Sequence, residues 1–143
     1  MSVEYYHEKL MNLITPLMDD LKSNYSQVYK QIDSENIIFI NFNPPALRLI
    51  LEDISYNHIL IDYAFISSNF DLNEQYAIIL HEIGHVLDKS PKGTHQIDRE
   101  IIADKFVADL SPEFKASLKD SLKKLKDFHP DDKTISARIQ ALW

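Results

Sequence analysis

His81-Glu82-Ile83-Gly84-His85 lies inside a run, from Asp71 to Leu87, that reads as a helix. Residues four apart on a helix share one face, so His81 and His85 can aim their rings at the same point. Two imidazoles at that spacing suit a tetrahedral zinc ion, and the glutamate between them, Glu82, can act on a water held by the metal. With His81 at zero and about 100° per residue, His85 falls near about 40° and Glu82 near about 100°. Tyr76, Ile79, Leu80, Ile83, Val86 and Leu87 gather on the opposite side, the pattern of a helix with one face in a core. Asp71 with Glu74 three residues on has the form of a capping box opening this helix. Gly84 is one of two glycines in the chain. In mid-helix a glycine costs about 1 kcal/mol relative to alanine, so its presence predicts close approach of another segment beside the metal. The plainer alternative is an amphipathic surface helix carrying two solvated histidines.

An open catalytic zinc site needs a third protein ligand. The metzincin spacing would place a glycine at position 88 and a histidine at position 91, where this chain has Asp88 and Pro91, so that arrangement is excluded. Glu100 follows His85 after an interval of 14 residues and lies in a second helical run, Asp98 to Leu110. On its wheel Glu100 and Asp104 fall in the middle of the apolar stripe formed by Ile97, Ile101, Ala103, Val107 and Ala108, while Asp98, Lys105 and Asp109 share the wet side. A buried carboxylate without a partner costs several kcal/mol, so both acids need one. A zinc ion for Glu100 and an imidazole N–H for Asp104, from His81, would meet that need, because ligating histidines usually donate their second ring N–H to a carboxylate. The alternative is pairing with a cation such as Arg99 or Arg138. His95 and Asp98, in and just after the connecting stretch, stand as the other candidates for the third ligand.

His81-Glu82-x-x-His85 followed by Glu100-x-x-x-Asp104 resembles the gluzincin pattern of zinc metallopeptidases. The fuller form, Glu100-x-x-Ala103-Asp104-x-Phe106-x-Ala108, is similar to the CAAX prenyl endopeptidases and their bacterial heat-shock membrane-protease relatives. His129-Pro130 followed by Arg138-Ile139 and Leu142 resembles a third segment of that family. Tyr76–His85 and the Glu100–Leu110 run also resemble the ImmA/IrrE-type family of small soluble metallopeptidases. The resemblance covers residues 72–142. It implies a zincin-like α+β fold, with a small central β-sheet flanked by helices, an H-E-x-x-H active-site helix and a following ligand helix. It also implies Zn2+ on His81, His85 and Glu100, Glu82 as general base, and His129 as first candidate to stabilise the oxyanion, with Arg138 and Tyr63 behind it. The plainer role for His129 is that of a helix-junction residue.

The rest of the chain sets bounds. Its 143 residues, 45% of them hydrophobic, are expected to form one domain, residues 1–143. No run reaches the roughly 18 apolar residues of a membrane span, and the opening Met1-Ser2-Val3-Glu4 has no signal-peptide character. A cytoplasmic location is therefore expected. With no cysteine, disulfides and thiolate metal sites are excluded. A net charge of −7 argues against nucleic acid as the main ligand. Lys115, Lys119, Lys123, Lys124 and Lys126 are interleaved with Asp120 and Asp127, as on a solvated helix face.

Residues 3–30 read as one helix or two, with Pro16 as a kink or turn start. Residues 36–42 and 58–66 read as strands, and 46–52 as strand or helix. Ser111-Pro112-Glu113 and Pro130-Asp131-Asp132 open the last two helices.

The expected function is a zinc-dependent endopeptidase acting on a peptide or protein substrate. Its rivals are a regulatory protease of ImmA/IrrE type that cuts one specific protein, a catalytically silent zinc-binding interaction domain, and a structural zinc site closed by His95 or His129.

Overall fold

A computed structural model describes residues 3–41 and 57–142. These hold seven helices and two strands, an α+β composition dominated by helix. The chain divides into two compact units, Met1–Asn69 and Phe70–Trp143. The predicted segment 46–52 lies outside the described residues.

The first unit begins with α1 (Val3–Asn24) and α2 (Ser26–Ser34). Leu10, Leu13, Ile14, Leu17 and Leu21 recur at helical spacing and are all buried, while Met18 is half-buried. Pro16 does not end α1. Pro16 and Asn12 are both exposed, so the carbonyl that loses its helical donor at residue 12 can be satisfied by water. The break comes instead at Tyr25, whose φ of −137° leaves the helical region.

Strands β1 (Ile37–Asn41) and β2 (Asn57–Ile61) pair in parallel, from Ile37 opposite Asn57 to Asn41 opposite Ile61. Phe39, Asn41, Ile59 and Ile61 point to the buried side, and Ile38 and Leu60 to the exposed side. The strand expected over 58–66 stops at Ile61, and the remainder forms α3 (Tyr63–Asn69). The reason is local capping. Asp62 Oδ1 accepts from the Phe65 N–H at 3.1 Å, and Asn41 Oδ1 accepts from the Tyr63 N–H at 3.0 Å. Two orphan donors of a helix start are thereby satisfied, which outweighs the apolar run that reads equally as strand.

The second unit is four helices, α4 (Leu72–Leu87), α5 (Gln96–Leu110), α6 (Pro112–Phe128) and α7 (Lys133–Leu142). In α4 the predicted capping box is formed in full. Asp71 Oδ1 accepts from the Glu74 N–H at 2.8 Å, and Glu74 Oε1 accepts from the Asp71 N–H at 2.9 Å. Ser111 caps α6, with Pro112 in its first turn. Asp132 Oδ1 accepts from Thr134 N–H and Ile135 N–H at the start of α7. Helix α4 packs on α5 and α6, and α7 packs on α5 and α6.

Its core is Ala77, Ile79, Leu80 and Ile83 of α4 with Ala103, Val107, Leu118 and Leu122. The histidine side of α4 is covered as well. His81 is only 5% exposed, because α5 lies against it. Gly84 makes this possible. A Cβ at that position would stand 3.0 Å from the Ala103 carbonyl oxygen and 3.2 Å from Phe106 Cδ2, so an alanine would fit only if α5 gave way by a few tenths of an ångström.

Of the basic residues on α6, Lys123 and Lys126 are exposed, but Lys124 turns to the buried Glu74 carboxylate and ties α6 to the start of α4. Among the described residues, no helix is long and apolar enough to cross a membrane.

Candidate metal centre

The side chains meet where α4, α5 and α7 converge. One turn of α4 carries His81 and His85 on a common face, with ring centroids 4.6 Å apart and ring planes at 89°. Their Nε2 atoms are 3.1 Å apart. Glu100, in the second turn of α5, places Oε2 2.9 Å from His81 Nε2 and Oε1 3.2 Å from His85 Nε2. His81, His85 and Glu100 thus bring one ligand atom each to a common point and could hold a metal ion.

The chemistry of this donor set asks for a cation. The other nitrogen of His81, Nδ1, is 2.7 Å from Asp104 Oδ1, and since an ionised carboxylate only accepts, this contact assigns the proton to Nδ1. In the neutral ring that leaves Nε2 as a bare lone pair facing a second imidazole and a carboxylate. Three acceptors converging this closely need a proton or a metal between them. Bonds of about 2.0–2.1 Å in tetrahedral directions separate two ligand atoms by about 3.3 Å, close to the spacings found here.

Asp104, one turn beyond Glu100, is 1% exposed and has a second partner. Arg138 of α7 grips it with two bonds, Nε to Oδ2 and Nη2 to Oδ1, each 2.8 Å. Arg138 Nη1 also lies 3.5 Å from Glu100 Oε2. Asp104 therefore answers both sequence readings at once, pairing with an imidazole and with an arginine.

These contacts move the proton affinities. Burial alone would lower His81, but its hydrogen bonds to Asp104 and Glu100 raise it above the ordinary histidine value. Burial would raise Glu100 and Asp104, yet both lie below the usual carboxylate range. The His81 and His85 rings hold Glu100 down, and Arg138 followed by His81 holds Asp104 down. Asp104 in turn raises Arg138 against the effect of its burial.

A recess of about 120 Å3 adjoins the cluster. Its polar wall is His81, Glu82, Glu100 and Arg138, and its other wall is Ile78, Leu118, Ser121 and Leu125. Glu82 thus faces the same small space as two members of the donor group.

The other sequence candidates stand elsewhere. His95 and Asp98 are exposed at the start of α5, and neither joins the donor group. Arg99 bonds the Pro91 carbonyl in the loop before α5. His129 is the exposed C-cap of α6, with its backbone N–H on the Leu125 carbonyl, and it does not line the recess. Tyr63 opens α3 in the first unit. One contact escaped the sequence reading. Gln96 Nε2 donates to Glu100 Oε1 at 2.9 Å. Its signal was the four-residue spacing from Glu100, which is indistinguishable in sequence from any exposed helical pair.

Compared with protein-family models, curated proteins and solved structures, the chain matches none.

Proposed function

We propose that this protein is a zincin-like, zinc-dependent endopeptidase. The observation that carries the reading is the convergence of three acceptor atoms from His81, His85 and Glu100 on one point, with Glu82 facing the recess beside them. Two imidazoles and a carboxylate are one of the ligand sets of open catalytic zinc sites. When bound there, zinc supplies Lewis acidity that activates water near neutral pH and polarises a scissile carbonyl.

The chain's own residues supply the rest. His81 (oriented by Asp104), His85 and Glu100 would hold the ion. Glu82 accepts the proton of the attacking water and returns it to the leaving amine. Arg138 lines the recess with its charge largely committed to Asp104, and its Nη1 side faces Glu100, where it favours negative charge. Ile78, Leu118 and Leu125 offer an apolar seat for a substrate side chain next to the reacting bond.

The test joins metal content to hydrolysis. Elemental analysis of the purified protein should give one zinc per chain. Glu82→Gln should keep that zinc and lose hydrolysis by about 10²–10⁴-fold. A Glu82→Gln variant with wild-type turnover, or a wild type that takes up no metal, overturns the reading. Blank assays on general peptides together with cleavage of one protein would mark the ImmA/IrrE-like form of the same activity.

A further inference from the structure

The two oxygens of Glu100 are in different hands. Oε2 faces His81 Nε2 at 2.9 Å and Arg138 Nη1 at 3.5 Å. Oε1 faces His85 Nε2 at 3.2 Å and accepts a hydrogen bond from Gln96 Nε2 at 2.9 Å. A carboxylate this close to two imidazoles can give a cation either one oxygen or both. With both, the two histidines and Glu100 would supply four protein donor atoms and leave less room for water or substrate. With one, a position stays open for water or substrate.

Arg138 is poorly placed to decide between these. Its Nε and Nη2 are spent on Asp104, and its approach to Oε2 is long for a hydrogen bond. The Gln96 amide has normal hydrogen-bond length and sits on the other oxygen. We infer that Gln96 is a positioning residue. Its N–H draws on one lone pair of Oε1 and makes that oxygen the weaker donor, so that Glu100 would ligate mainly through Oε2 and a coordination position would stay open. This deepens the metallopeptidase reading above and rests on it. The rival account is a surface glutamine pairing with a glutamate one turn away, with no bearing on the metal.

The two accounts differ in the sign of what they predict for Gln96→Met, which keeps the length of the side chain and removes the donor. Gln96 is exposed, so the variant should fold normally. The probe is the cobalt(II)-loaded protein titrated with azide and followed by visible absorption. Wild type should bind one cobalt and take azide with a spectral change. In Gln96→Met, cobalt should be held at least as tightly as in wild type, because Oε1 regains full donor strength once its hydrogen bond is gone. Azide affinity should fall by about tenfold, the scale expected when a group that orients a ligand is lost.

Azide affinity in Gln96→Met equal to wild type overturns the inference, as does a loss of cobalt affinity in parallel with that of azide. Wild-type protein that binds cobalt but never azide also overturns it, leaving the metal site itself standing. Wild-type protein that binds no cobalt removes the metallopeptidase reading and this inference together, a result read before any variant is made.

Discussion

Asp104 on α5 stands 2.7 Å from Nδ1 of His81 on α4, one helical turn beyond Glu100, which faces the other nitrogen of the same ring at 2.9 Å. One imidazole is thus fixed at both ends by a single neighbouring helix. Because Arg138 holds Asp104 from α7, the tautomer and orientation of His81 depend on three helices at once.

Asp104→Asn should therefore lower zinc affinity by about 10–100-fold without removing the site. Asp104→Ala should be worse. It leaves a buried ring N–H unpaired, a penalty of about 1–3 kcal/mol, and strands the buried Arg138 guanidinium. Chelator competition and urea unfolding measure the two effects. In a double-mutant cycle, Asp104→Asn with Arg138→Met should cost less than the sum of the single changes. Additivity would show that the two groups act separately.

Glu100 should matter far more to metal than its exposed neighbours. Glu100→Ala should abolish stoichiometric zinc, as should His81→Ala and His85→Ala, whereas His95→Ala and Asp98→Ala should leave it unchanged. Isothermal titration distinguishes them. A larger effect at His95 would move the third ligand into the loop before α5.

Gly84→Ala tests the close approach of α4 and α5. Helix propensity favours alanine by about 1 kcal/mol. The added Cβ, however, meets the backbone of Ala103 at 3.0–3.1 Å, and forcing atoms into a packed contact typically costs about 1–3 kcal/mol. The net outcome should be destabilisation of up to about 2 kcal/mol, with weakened zinc binding because α5 carries Glu100. A gain in Tm with unchanged affinity would show that the helices can part freely.

The sign of the pH dependence follows from the shifts. In chelator-treated protein, Asp104 and Glu100 have folded values below their ordinary 3.8 and 4.5, so their contribution is present above those values and lost as pH falls through the folded ones. His81 is raised above 6.5, so its contribution is complete below that and lost as pH rises through the folded value. Stability from this cluster should peak between about pH 4.5 and 6.5. Zinc should abolish the alkaline loss, since the metal replaces the proton. Thermal scans of wild type and of His81→Gln, whose side chain does not titrate, should differ in that alkaline limb. Parallel curves would remove His81 as its cause.

The sequence by itself determined the parts of the site that lie within one turn of a helix. Histidines at 81 and 85 share a face wherever that helix packs, Asp71 and Glu74 cap it by local geometry, and Glu100 and Asp104 share a face of α5 for the same reason. Short-range signals also marked the start of α6 at Ser111-Pro112. They failed at Asp62, where two side-chain caps turned an apolar run into a helix, since hydrophobic periodicity over so few residues does not separate strand from helix. Only the tertiary structure decided which face of α5 met which face of α4. It also decided that Arg138, 34 residues beyond Asp104, closes the cluster while His129 ends exposed on α6, and that Lys124 reaches Glu74 across 50 residues. Such pairings depend on helix crossings fixed by the whole core, which spacing along a single helix does not encode.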